Sequence, residues 1–148
     1  MRRAEFIHGT CVALGDHAAI LTGPPGSGKS DLALRFIHGT PEALAPALVA
    51  DDQTRIEARG NRLMAAAPKT IAGKIEVRGI GIVSIPYRKE AEVKLLVELA
   101  SREAVPRMPP SPLPSRTLCG IDVPILLLWP FEASAPLKLQ LALQTHVW

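Results

Sequence analysis

Cysteine is nearly absent from this chain. Cys11 and Cys119 are the only two, far apart and in no metal-ligand pattern, so a pair of buried thiols in a cytosolic protein is the expectation. Long apolar runs are also missing. Ile125 to Trp129 is apolar but far too short to span a bilayer, which argues against a membrane protein. No N-terminal stretch reads as a signal peptide, because Glu5 and His8 interrupt the residues after Met1-Arg2-Arg3, and a cytoplasmic location is expected. Charge of one sign is not concentrated anywhere. The net charge is +3, and no basic run exceeds Arg2-Arg3, so nucleic-acid binding is not inferred. There is no internal repeat. What is present is 47% hydrophobic residues in 148, enough for a core and of a size for one domain over 1–148.

The densest signal is Gly23-Pro24-Pro25-Gly26-Ser27-Gly28-Lys29-Ser30, a full match to G-x-x-x-x-G-K-[ST]. Its glycines permit backbone angles closed to other residues and let the main chain approach a phosphate group. Successive N–H groups then point at phosphate oxygens, with Lys29 reaching the β- and γ-phosphates and Ser30 placed on Mg²⁺. The flanks agree. His17 to Thr22 reads as a buried strand, and Ser30-Asp31-Leu32-Ala33-Leu34-Arg35-Phe36-Ile37 as a helix with Leu32 and Phe36 on one face. The helix N-terminus adds partial positive charge beside the phosphates, and Asp31 completes the candidate nucleotide-binding set. The helix ends near His38-Gly39, with Pro41 beyond.

A second apolar run, Ala47 to Ala50, ends in Asp51-Asp52. Acids at a strand end stand over the sheet edge where phosphates lie. One carboxylate can hold Mg²⁺ and the other can accept a proton from an attacking hydroxyl. Earlier in the chain, Phe6 to Leu14 reads as one strand turning at Gly15-Asp16, with His8 near its start; a lone His of this kind is more often structural than catalytic.

Gln53–Arg59 and Arg62–Ala66 form a predicted hairpin around Gly60-Asn61, followed by a loop over 68–74. Ile75 to Val83 reads as extended, with Glu76 and Arg78 on one face. They could serve Mg²⁺ and phosphate, or form a surface ion pair. Glu92 to Leu99 reads as a strand. Residues 101–116 hold five prolines and read as a loop or flap carrying Arg102, Arg107 and Arg116. Ile121 to Trp129 gives a last strand. Pro136 opens a final helix, Leu137 to His146, burying Leu139, Leu143 and Val147 or Trp148.

Taken in order, these features resemble the catalytic domain of HPr kinase/phosphorylase. His8-Gly9 precedes the P-loop, Val49-Ala50-Asp51-Asp52 follows it, and Glu76-Val77-Arg78-Gly79-Ile80-Gly81-Ile82 resembles the family signature E-[IV]-R-G-[LI]-G-I. The resemblance covers about residues 5–145. It implies an α/β P-loop fold of the phosphoenolpyruvate-carboxykinase type, with a mixed, strand-rich sheet and few helices. It also implies ATP-dependent, Mg²⁺-assisted phosphorylation of a serine on HPr or its nitrogen-system paralogue. Asp51 would be the general base, with Asp52 as its metal- or network-linked neighbour. Ser30 and Glu76 would help hold Mg²⁺. His8, Lys29, Arg78 and Arg107 would complete the catalytic set, and a homo-oligomer, a hexamer in the family, is expected.

Two departures stand out. The N-terminal domain of typical members has no counterpart here, so the chain looks like a short form. The family's V-R-P-G-R-N segment, tied to dephosphorylation by inorganic phosphate, reads Trp129-Pro130-Phe131-Glu132-Ala133-Ser134-Ala135 here. Loss of both arginines predicts weak or absent phosphorylase activity. Two rival readings are a P-loop small-metabolite kinase, which a screen of sugars and small acids would detect, and a nucleotide-dependent sensor without turnover, which would bind ATP and yield no product.

Overall fold

The computed structural model describes residues 4–145. Eleven strands and two α-helices are formed among them. They are β1 (Ala4–His8), β2 (Thr10–Leu14), β3 (His17–Thr22), α1 (Lys29–Gly39), β4 (Pro46–Ala50), β5 (Gln53–Arg59), β6 (Arg62–Ala66), β7 (Lys74–Val77), β8 (Gly81–Ser84), β9 (Ala91–Leu99), β10 (Ser115–Leu118), β11 (Ile121–Leu128) and α2 (Ala135–Thr145). Nine strands make one sheet in the order β1-β5-β6-β9-β3-β2-β4, with β11 also on β9 and β10 on β11. β7 and β8 form a separate hairpin. β3 and β11 run parallel to β9 and the other pairs are antiparallel, so the sheet is mixed and strand-rich, as expected of this α/β domain.

Alternation along the central strands sends side chains to opposite faces. Cys11, Ala13, Ala18, Ile20, Val49 and Ile56 pack into one core. Val12, Ala19, Leu21 and Leu48 pack with Leu32, Ala33 and Phe36 of α1 and Leu139 and Leu143 of α2 in another. Burial on both faces is why β3 reads as a continuous apolar run.

The sheet order also gathers the loops that matter. β2 is antiparallel to both β3 and β4, so β3 and β4 end at the same edge. β9 and β11, parallel to β3, end there too. The P-loop, Asp51-Asp52, the β2 start at Thr10 and the segment after Leu128 therefore meet at one edge, the position at which open α/β sheets bind ligands.

Several expectations are corrected. The stretch 4–14 is two strands, because Gly9 breaks it: β1 pairs with β5, whereas β2 pairs with β3 and β4. Arg78 is not on a strand face. It occupies a turn in which Ile80 N–H donates to Val77 C=O (3.0 Å), with Gly79 at φ 88°, an angle that favours glycine at this position. The proline-rich segment holds a 3₁₀ turn at Arg102–Ala104, and its end, including Arg116, joins β10. Another 3₁₀ turn covers Lys69–Ile71 in the expected 68–74 loop. Cys11 is buried but Cys119 only partly so, with its Sγ 3.9 Å from the Ile56 carbonyl. The final helix starts at Ala135, and the expected contribution of His146, Val147 and Trp148 lies outside the described residues.

Candidate active site

The P-loop is shaped by its own lysine. Lys29 Nζ donates to the Gly23 carbonyl (2.7 Å) and the Pro24 carbonyl (3.0 Å), with Ser27 Oγ at 3.5 Å, and the side chain is buried. Gly28 caps α1 at φ 99° with no side-chain cap, so the first-turn N–H groups face outward without an intrahelical partner. A Cβ on Gly28 would stand 3.1 Å from Phe131 Cε1, and one on Gly23 would stand 2.6 Å from Ser27 Oγ. Positive φ angles favour glycine at 23, 26 and 28, and the loop's free donors fit a phosphate chain.

Asp51 is the hub. It is 6% exposed, and its Oδ1 accepts from Ser30 Oγ (2.6 Å) and Thr10 Oγ1 (3.0 Å) while its Oδ2 accepts from the Glu76 N–H (3.0 Å). One carboxylate therefore ties α1, β2 and β7 together. Asp52 differs in every respect. Its backbone is at φ 66°, a left-handed conformation that Asp tolerates better than most residues. Its N–H is held by Thr10 Oγ1 (3.3 Å) and its C=O by the Gly9 N–H (2.9 Å). The side chain turns outward, 69% exposed, with His8 Nδ1 3.7 Å from Oδ1.

A cavity of about 570 Å³ lies between these groups. Pro25, Gly26, Gly28, Lys29, Ser30 and Asp31 line one wall, Asp52, Glu76 and Arg78 another, and Leu34 and Phe131 the rim. Of the residues singled out from sequence, Asp52, Lys29, Arg78, Glu76 and Ser30 meet here, with Asp51 behind Ser30 and His8 beside Asp52. Arg107 does not join them. It lines a separate apolar cavity beneath the proline-rich segment, together with Leu113, Leu126 and Lys138. Arg102 instead lies over the Trp129 ring, 5.6 Å from its centroid. Among the described residues no three His, Cys, Asp or Glu side chains form a ready metal cluster. Ser30 and Glu76, which both line the cavity, nevertheless fit Mg²⁺, which takes one or two carboxylates and leaves its other positions to phosphate and water.

Two contributors escaped the sequence reading. Thr10 orders both acids, and its only signal is its position two residues after His8. Phe131 rims the cavity, in the segment read only for its missing arginines.

The sequence matches the profile of the HPr Serine kinase C-terminal domain over residues 1–125. HPr kinase/phosphorylase of Pelodictyon phaeoclathratiforme is 32% identical over 135 residues, 82% of this chain and 38% of that protein. The Clostridium tetani protein of the same name is 35% identical over 80 residues, 54% of this chain and 25% of that protein. This chain thus spans well under half the length of these curated relatives. The fold matches the structure of the Hpr(Ser) kinase/phosphatase from Coxiella burnetii with a TM-score of 0.79 and 25% identity, covering 96% of this chain and 90% of that one. Among the described residues no helix is long and apolar enough to cross a membrane. The chain belongs to the HPr serine kinase C-terminal domain family.

Proposed function

We propose that this chain is an ATP-dependent protein kinase that phosphorylates a serine of an HPr-type phosphocarrier. The observation that carries this reading is the contrast between the two acids. Asp51 has both oxygens engaged by protein donors. Asp52 stands in the cavity with its oxygens open to a substrate hydroxyl. This reverses the division of labour that the family resemblance implies. Asp52 becomes the proton acceptor, and Asp51 fixes Ser30 and β7.

When bound, ATP supplies the phosphoryl group and Mg²⁺ neutralises its developing charge. The P-loop N–H groups and Lys29 hold the phosphates. For this, Lys29 exchanges its bonds to Gly23 and Pro24 for phosphate oxygens. Ser30 and Glu76 hold the metal, Asp51 orienting the first through Oγ. An incoming serine hydroxyl donates its proton to a carboxylate oxygen of Asp52. His8, with Nδ1 3.7 Å from Oδ1, would orient that carboxylate. Arg78, which also lines the cavity, would offer its guanidinium to the transferring phosphoryl group. Such catalysis is positioning and electrostatics.

The segment after β11 supports a kinase with little phosphorylase activity. It offers Phe131 and Glu132 where cations would be needed to hold inorganic phosphate and phosphoserine. Homo-oligomer formation is carried over as part of this reading. The test is a phosphotransfer assay with Mg²⁺-ATP and an HPr-type carrier, read by intact mass and site mapping. One added phosphoryl group on a carrier serine is expected. ATP binding without transfer to the carrier would instead favour a sensor or a small-metabolite kinase.

A further inference from the structure

Phe131 is 62% exposed, yet it is not loosely placed. The carbonyls on either side of it, Pro130 and Glu132, both accept from the Arg35 guanidinium of α1. Arg35 is itself held by Asp31 one turn earlier (Nε–Oδ2 3.0 Å). The Glu132 carboxylate pairs with Lys138 of α2. Three fixed attachments therefore present one free aromatic ring, so near the P-loop that a Cβ on Gly28 would stand 3.1 Å from its Cε1. Leu34, on the same rim, is also apolar. An apolar rim beside the charged Lys29, Asp52, Glu76 and Arg78 matches a ligand with a charged tail and a flat apolar head.

We infer that Phe131 is the platform on which the base of the bound nucleotide stacks. This rests on the nucleotide reading of the P-loop and adds the residue that recognises the other end of the ligand. Holding the ring in place beforehand avoids ordering it on binding. Stacking uses the π-face that every base has, so it gives affinity without reading hydrogen-bonding edges. ATP and GTP should then bind alike, pyrimidine nucleotides more weakly, and inorganic tripolyphosphate, which has no base, most weakly.

The test is calorimetric binding of ATP and of tripolyphosphate, each with Mg²⁺, to the wild-type chain and to Phe131→Ala and Phe131→Trp. Loss of one stacked base corresponds to about a five- to hundredfold weakening. Phe131→Ala should lose that much affinity for ATP and none for tripolyphosphate, and Phe131→Trp should retain ATP affinity. Equal weakening of both ligands would make Phe131 a loop prop and overturn the inference. So would an unchanged ATP affinity, or a wild-type chain that binds tripolyphosphate as tightly as ATP. A wild-type chain that binds neither would overturn the nucleotide reading itself, and this inference with it.

Discussion

Ser30 donates its hydroxyl to Asp51 Oδ1 across 2.6 Å, joining the last residue of the P-loop motif to the residue that follows β4. The bond is made on a carboxylate that also holds Thr10 and the β7 backbone. Asp51→Ala would leave these donors without their acceptor inside the protein. It should lower stability by about 1–3 kcal/mol as well as abolishing transfer. Thermal unfolding checks this, and an unchanged Tm would show that the hub carries no structural weight.

Gly9 predicts a different failure. A Cβ there would lie 2.8 Å from both the Leu21 carbonyl oxygen and Ile20 Cγ2, and the backbone contact has little room to yield. Gly9→Ala should destabilise the protein by about 1–3 kcal/mol through overpacking. It should also disturb Asp52, whose carbonyl the Gly9 N–H holds. Denaturant unfolding together with an activity assay would register both effects.

Acid should weaken the fold from one known place. A hydrogen bond from Arg59 holds the Glu90 carboxyl below its ordinary range. For Glu92, burial pushes the carboxyl up, but bonds from Lys94 and Arg62 outweigh it and the net direction is down. A depressed carboxyl binds its proton less readily in the folded state. Its stabilisation is therefore complete above the unfolded value of about 4.3 and is lost as pH falls through the folded value. Stability should be nearly flat from neutrality to about pH 5 and decline below that. The double variant Glu90→Gln, Glu92→Gln should show a shallower decline in a pH series of unfolding curves. The effect is small, because Glu90 is an exposed partner.

Inorganic phosphate should be a poor co-substrate. The segment Trp129–Ala135 presents no arginine of its own, and the nearby Arg35 is occupied by the Pro130 and Glu132 carbonyls. Incubating phosphorylated carrier with Mg²⁺ and phosphate should release little pyrophosphate. Dephosphorylation as fast as phosphorylation would contradict this reading.

The parts of the fold legible in the sequence were those with strong local signals. β3, the P-loop and α1 follow from an apolar run, four fixed motif positions and a Gly-Pro stop. The β5–β6 hairpin follows from Gly60-Asn61. The break at Gly9 was hidden, because Phe6 to Leu14 shows no polar interruption except His8 and Thr10. The break shows only in the assembled sheet, where β1 pairs with β5 and β2 with β3 and β4. The turn at Arg78-Gly79 was hidden for a similar reason: Ile80 and Ile82 continue the apolar pattern, although both are exposed in the hairpin. At the site, the residue types were readable and their roles were not. Asp51 and Asp52 are adjacent in sequence, yet the first is buried and hydrogen-bonded while the second, at φ 66°, lines the cavity.

The most direct measurement is single-turnover transfer from labelled ATP to an HPr-type carrier by the wild-type chain and by Asp52→Asn. Asn tolerates the same left-handed backbone, so the variant should fold and bind Mg²⁺-ATP as the wild type does. The account predicts phosphoserine on the carrier with the wild type, and at least about a hundredfold slower transfer with Asp52→Asn. Undiminished transfer by Asp52→Asn, or a wild-type chain that binds ATP and never phosphorylates the carrier, would contradict it.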